Sequence, residues 1–126
     1  MGGWVDGPVV VVTGGPRGIG DAIVRRVAAE DTRVVVPALV DPDAPVAGTR
    51  HLHRDITDRH AVAAAHASIE AQEGRLDVLV DNAGIQRVSL TDQFDPYTWE
   101  QVVHVHLFGA FYWSRLALSA APRCRP

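Results

Sequence analysis

A chain of 126 residues with 47% apolar side chains has the length of one ordinary domain and enough apolar surface to bury a core. Its 12 basic and 15 acidic residues leave a net charge of −3, which gives no concentrated positive surface for nucleic acid or an anionic membrane. All 12 basic residues are Arg. Without a lysine the chain has no Schiff-base nucleophile, no P-loop phosphate Lys and no Tyr/Lys or Ser/Lys catalytic pair of its own.

In chain order, the N-terminal MGGWVDGP shows no basic segment followed by an apolar one, so no signal peptide is expected. Asp6 stands where a myristoylation start would want Ser or Thr. Val9-Val10-Val11-Val12 is a wholly apolar β-branched run, the pattern of a central parallel strand buried on both faces. A Gly/Pro loop from Gly14 to Gly20 follows, and residues 21–30 carry Ile23, Val24, Val27 and Ala28 at helical spacing. Asp21 stands near the positive end of that helix. Residues 33–36 form a second apolar strand closed by Pro37, and a loop holding Pro42, Pro45 and Gly48 leads to a short third strand at 50–54.

Residues 58–73 are Ala-rich and helical, with Gly74 as the stop. A fourth apolar strand spans 76–80 and ends in Asp81-Asn82-Ala83-Gly84. Residues 98–120 read as one long helix, apolar almost all round and therefore expected to be buried on more than one side. No run approaches the roughly 18 apolar residues of a membrane span. Cys124, being alone, cannot form an internal disulfide, which suits a reducing compartment. The expectation is a cytoplasmic chain with no nucleic-acid or membrane partner.

This alternation implies an α/β fold with a doubly wound parallel sheet of about four strands in the order 3-2-1-4. The fourth strand would form an uncovered apolar edge, so the sheet reads as incomplete.

The strongest chemical signal is Thr13-Gly14-Gly15-Pro16-Arg17-Gly18-Ile19-Gly20, between a strand and a helix. Glycines permit a tight turn and close backbone approach, and a helix N-terminus offers unpaired N–H groups and a positive dipole end to a pyrophosphate. The alternative is a plain glycine-rich turn. Six histidines raise the question of a metal. His51 and His53 share one face of a strand without a third clustered ligand, and His104 and His106 do not face each other on a helix, so no metal site is expected.

The TGGPRGIG loop resembles the TGxxxGxG motif of the short-chain dehydrogenase/reductase family. Further matches follow in order. Arg54-Asp55-Ile56-Thr57-Asp58 is similar to the family's D-[VIL]-T-D segment, and Val80-Asp81-Asn82-Ala83-Gly84 to its NNAG motif. Residues 99–111, WEQVVHVHLFGAF, resemble its W-x-x-V-x-x-V-N-L-x-G-x-F helix. The resemblance covers roughly residues 8–120 and implies a Rossmann-like fold, a nicotinamide dinucleotide as partner, and hydride transfer between that cofactor and an alcohol or carbonyl. It implies that Gly14, Gly18 and Gly20 cradle the phosphates with Ile19 beside them. Asp55 would accept from the adenine amino group, Ile56 would border the ring, and Asn82, Ala83 and Gly84 would pass under the adenosine ribose. The bland alternatives are a turn-forming Asp55 and a strand-ending Asn82-Ala83-Gly84. Asp81 departs from the family's first Asn.

The residue at the end of the second strand selects the cofactor, an acid holding a ribose 2′-OH and an Arg accommodating a 2′-phosphate. Ala38 occupies the family's usual acidic position, Asp41 lies three residues on, and Arg17 stands where a basic residue accompanies NADP. The preference is NADP(H), with NAD(H) as the alternative. His106 occupies the place of the Asn that supports the family's proton relay.

The family's Ser and Tyr-x-x-x-Lys have no counterpart here. Tyr97 and Tyr112 are followed four residues later by Gln101 and Leu116, so no catalytic residue is assigned. Similarity is lost at about residue 120, and the Pro/Arg tail 121–126 is a poor start for a buried strand. The expectation is a single NAD(P)-binding domain over 1–126, C-terminally truncated or frameshifted and inactive alone. Its alternatives are a non-catalytic dinucleotide-binding module that forms a homo-oligomer or meets a complementing chain through helix 98–120, and a non-functional relic.

Overall fold

The computed structural model describes residues 7–120. Four parallel strands form one sheet in the order β3-β2-β1-β4, with β1 at Val9–Val12, β2 at Arg33–Ala38, β3 at Thr49–His53 and β4 at Val78–Val80. Helix α1, Gly18–Ala28, connects β1 to β2, and α2, Arg59–Gln72, connects β3 to β4. This is the doubly wound arrangement that the alternating pattern predicts.

The period-2 geometry of a strand divides its valines between two cores. Val9, Val11 and Val35 pack with Val62, Ala65 and Ile69 of α2 and with Trp113 and Ala117 further on. Val10, Val12, Val34 and Val36 pack with Val24 of α1, and Ile23 and Val27 flank them. All four residues of β1 are buried because helices cover both faces of the sheet. Each such valine contributes about 1.5 kcal/mol relative to an exposed one.

Polar contacts fix the elements end to end. Asp58 caps α2, its Oδ1 accepting from the amides of His60 at 2.9 Å and Ala61 at 3.2 Å. Arg50 of β3 grips Glu73 at the C-terminal end of α2 through two 2.7 Å bonds, and its third donor reaches Ser68 Oγ at 3.1 Å. Before β4, Asp77 Oδ2 accepts from Val9 N at 2.9 Å and from Arg75 Nε at 2.8 Å, while Asp77 N donates to Val9 O at 2.9 Å. That carboxylate aligns the starts of β1 and β4.

Most element boundaries lie within one to three residues of expectation, and three differences have a physical reason. β2 continues through Pro37, which pairs with Leu52 of β3. Proline lacks the N–H but keeps its carbonyl, which accepts from Gly14 N at 3.2 Å. β4 is shorter than the apolar run, because Leu76 is buried below the ladder and Asp77 spends its groups on Val9. The long helix comprises α3, Pro96–Val103, a π-helical stretch, His104–Gly109, and α4, Ala110–Ala120. Asp95 caps its start, Oδ2 accepting from Thr98 N at 2.9 Å.

The expectation that this helix is buried on more than one side is corrected. Trp113 and Ala117 face the sheet and Gly109 faces Ile56, whereas Leu107, Phe111 and Leu118 are 61%, 60% and 78% exposed. Its apolar circumference covers two faces, and the described residues supply a neighbour to one. The outer edge of β4 likewise has no strand beside it among the described residues, and Val78 is 46% exposed.

The pairing at Asp77 generates a pH signature. The Arg75 hydrogen bond, with the Val9 amide assisting, holds its carboxyl below the ordinary value of 3.8. A lowered folded-state pKa gives stability that is present above the unfolded value and lost as pH falls through the folded one. Asp77→Asn should therefore cost about 1–2 kcal/mol at pH 7 in urea unfolding. The gap to wild type should close below roughly pH 4.

Candidate functional site

The C-terminal ends of β1, β2 and β4 meet above the first turn of α1. Thr13, 1% exposed, directly follows β1. Its hydroxyl oxygen accepts from the amides of Asn82 and Ala83, each at 3.1 Å. The Asn82 side-chain amide returns two bonds of 3.2 Å, to the carbonyls of Thr13 and Gly14. Two loops separated by some 70 residues of chain are thereby locked together.

The lock leaves no room for side chains where the loops cross. Gly14 has φ +66, a left-handed conformation, and a Cβ there would stand 2.8 Å from Ala83 Cα. A Cβ on Gly20 would stand 2.5 Å from Asn82 Nδ2. Glycine at both positions is required by this close approach.

Beside the crossing lies an open cleft of about 470 Å³. Of the residues predicted from sequence, Gly14, Arg17, Ile19, Gly20, Asp55, Ile56, Asn82, Ala83 and Gly84 line it. Gly18 does not line it, but as the first residue of α1 it holds the turn with φ +55. The sequence pattern did not mark Pro37 within β2, Leu39 and Val40 beyond it, or Arg54, Ile85 and Val105. The apolar Leu39-Val40 pair directly after the strand is the signal that could have found two of them.

The donor set suits an anion. Arg17, at the N-cap of α1, makes no side-chain cap bond, and Asp21 is the first residue whose amide finds a helical acceptor, Arg17 O at 3.2 Å. The first-turn amides of Gly18, Ile19 and Gly20 precede any i−4 acceptor within the helix, so they are available beside the cleft at the positive end of the dipole.

Asp55 builds a turn and lines the cleft at once. Its Oδ1 accepts from Thr57 N at 2.9 Å and Thr57 Oγ1 at 2.6 Å, which builds the turn into α2. The turn holds the carboxylate and Ile56 on the wall of the cleft. Arg54, immediately before, donates its backbone N–H to Ala38 O at 3.0 Å.

His106, in the π-helical stretch, brings Nε2 within 3.1 Å of Ile85 N and 2.8 Å of Ile85 O. It accepts from the first or donates to the second according to tautomer, and either contact ties the Gly84-Ile85 loop to the helix. The ring lies so near Gly84 that a Cβ there would meet its Cε1 at 2.7 Å. Asp81 accepts from Ser114 Oγ of α4 at 3.1 Å, and burial pushes its carboxyl above the usual range.

The other histidines are dispersed. Burial lowers His51, whose Nε2 lies 3.3 Å from Thr49 Oγ1, and His53 stands 3.8 Å from Asp41. No three His, Cys, Asp or Glu groups converge for a metal among the described residues, and no helix among them is long and apolar enough to cross a membrane. A second hollow, lined by Ser89, Thr91, Phe94, Pro96, Trp99 and Glu100, contains none of the predicted residues.

Comparison with known proteins follows the same outline. The model of the short chain dehydrogenase family matches residues 8–123. D-beta-hydroxybutyrate dehydrogenase of Cupriavidus necator is 31% identical over 123 residues, spanning 90% of this chain and 48% of that protein. The ligand-free aldohexose dehydrogenase of Thermoplasma acidophilum superposes with a TM-score of 0.88 at 34% identity, over 94% of this chain and 46% of that one. A short chain dehydrogenase of Leptospira borgpetersenii with bound NAD+ gives 0.84 at 25% identity, over 94% and 49%. The chain thus spans about half the length of the relatives it matches.

Two substitutions test this construction. Thr13→Val removes the acceptor of two amides without changing shape, and should cost about 2–4 kcal/mol of unfolding free energy. Asp81→Asn should stabilise at pH 7, because it removes the burial cost of a charge. A folded pKa raised above the unfolded one favours the fold only while the acid is protonated, so the gain should vanish below roughly pH 4. It should stay under about 1 kcal/mol, since Asp81 keeps much of its surface in water.

Proposed function

We propose, for a chain that belongs to the short-chain dehydrogenase family, that it is the cofactor-binding part of an oxidoreductase acting on an alcohol or carbonyl and that it holds NADP(H) in preference to NAD(H). The observation that carries this reading is the crossing of the Thr13-Gly14 and Asn82-Ala83 loops over the uncapped start of α1, beside a cleft of dinucleotide scale. The residues present fit the cofactor. The amides of Gly18, Ile19 and Gly20 would hold the pyrophosphate. The Asp55 carboxylate would accept from the adenine amino group with Ile56 against the ring, and Asn82, Ala83 and Gly84 would pass under the ribose. The bound nicotinamide would supply the hydride acceptor or donor.

Beyond binding, the chain's own residues contribute position. Asn82 keeps the glycine loop in register, and His106 anchors the segment after Gly84 through Ile85. A proton donor for the oxygen of an alcohol or carbonyl is a different requirement. The family resemblance assigns it to a tyrosine whose pKa a nearby ammonium lowers. Tyr97 instead receives a hydrogen bond from Gln101 Nε2 at 3.1 Å, and Tyr112 packs against Phe108 and Phe111. With no lysine in 126 residues, activity in this reading requires groups from outside the chain.

A second reading rests on the exposed apolar residues Leu107, Phe111 and Leu118. In it the chain is a non-catalytic dinucleotide-binding module whose α3–α4 helix meets a second copy or a complementing chain.

Fluorescence titration with NADPH tests the shared part of both readings. Saturable binding is expected, and NADPH oxidation with a panel of aldehydes and ketones should stay at the uncatalysed rate. Absence of binding would overturn the assignment, and turnover by the chain alone would overturn the need for external catalytic groups.

A further inference from the structure

We propose that Arg54 is a specificity-determining residue of the cleft, forming with Arg17 a two-guanidinium clamp for a 2′-phosphate; this rests on the cofactor reading above and deepens it. The selecting position is the end of β2. An acid there would accept from a free ribose 2′-hydroxyl and repel a phosphate. Ala38 offers a methyl group instead, so that wall of the cleft is uncharged.

The neighbouring wall is basic. Ala38 pairs with His53 in the ladder, and the next step is the 3.0 Å bond from Arg54 N to Ala38 O. Arg54 is therefore fixed beside the residue that would otherwise make the selection. It lines the same cleft as Arg17, which enters from the glycine loop at the start of α1. The two arginines come from different elements, the end of β3 and the turn before α1.

Both guanidinium groups are available. Arg54 Nη1 donates to the carbonyl of the adjacent His53 at 2.9 Å, and neither arginine pairs with a carboxylate among the described residues. Asp41, the first acid after β2, does not line the cleft; it is 81% exposed and lies 3.8 Å from His53 Nδ1. Asp55 is the acid on the cleft wall, and two bonds from Thr57 hold its Oδ1 in the turn into α2. A doubly charged phosphate between two arginines gains charge-assisted, bidentate hydrogen bonds that a hydroxyl cannot match.

Titration calorimetry of the purified chain with NADP+, NAD+, 2′-AMP and 5′-AMP tests the clamp. Wild type should bind NADP+ more tightly than NAD+, and 2′-AMP more tightly than 5′-AMP. Arg54→Ala should raise the Kd for NADP+ about 10- to 100-fold, the range for losing a hydrogen bond to a charged group, and change that for NAD+ less than about twofold. Ala38→Asp, which places a carboxylate beside Arg54, should reverse the preference towards NAD+. Circular dichroism and Tm establish that each variant is folded. If Arg54→Ala weakens both dinucleotides equally, or leaves NADP+ unchanged, the clamp is overturned while dinucleotide binding stands. If folded wild type binds neither dinucleotide, the cofactor reading and the clamp fall together.

Discussion

The hydroxyl of Thr13 is the point on which the site depends. It is buried, follows the central strand and accepts two amides from a loop that begins after the neighbouring strand. Asn82 completes the exchange by donating to the successive carbonyls of Thr13 and Gly14. Thr13 N donates to Val80 O and Gly14 N to Pro37 O, so the amides on both sides of the crossing are partnered, as a half-buried junction requires. The lock then dictates sequence around it. Gly14 and Gly20 lie where a Cβ would strike Ala83 and Asn82, and α1 begins at a fixed height above the sheet. Its first-turn amides open beside the cleft as a consequence of that placement.

The sheet beneath is built on two cores that share only the backbone of the strands. Odd-numbered valines of β1 face α2 and α4, while even-numbered ones face α1. Burial on both faces makes β1 and β2 rigid, and a rigid centre is what holds the crossing in register. Towards β4 the order changes character. Its three residues pair on one side, and the helix packed over it presents Trp113 and Ala117 inward but Leu107, Phe111 and Leu118 to water. Apolar surface of that extent is characteristic of faces that meet other polypeptide.

Much of this was legible in the sequence where local pattern and tertiary role coincide. Val9 to Val12 carries the pattern of a doubly covered strand and the glycine loop after it that of a close approach, so the fold follows, and nine of the ten residues singled out from sequence line the cleft. What was not legible depends on distant partners. A proline normally ends a strand, yet Pro37 continues β2 because Gly14 needs its carbonyl and not its missing N–H. An apolar helix reveals that it wants neighbours, but not which neighbours are present, so the exposure of Phe111 and Leu118 had no signature. Arg54 stands in the segment Arg54-Asp55-Ile56-Thr57-Asp58 with no pattern of its own. Its place beside Ala38 exists only once β2 and β3 are paired.

In the proposed function, two loops distant in sequence bind the cofactor as one surface, and amide NMR of the chain during titration with NADP+ is the decisive measurement. Gly18, Ile19 and Gly20 should shift together with Asn82, Ala83 and Gly84, all following one saturation curve. Shifts confined to the hollow at Ser89, Phe94 and Trp99, or movement of one loop without the other, would contradict it.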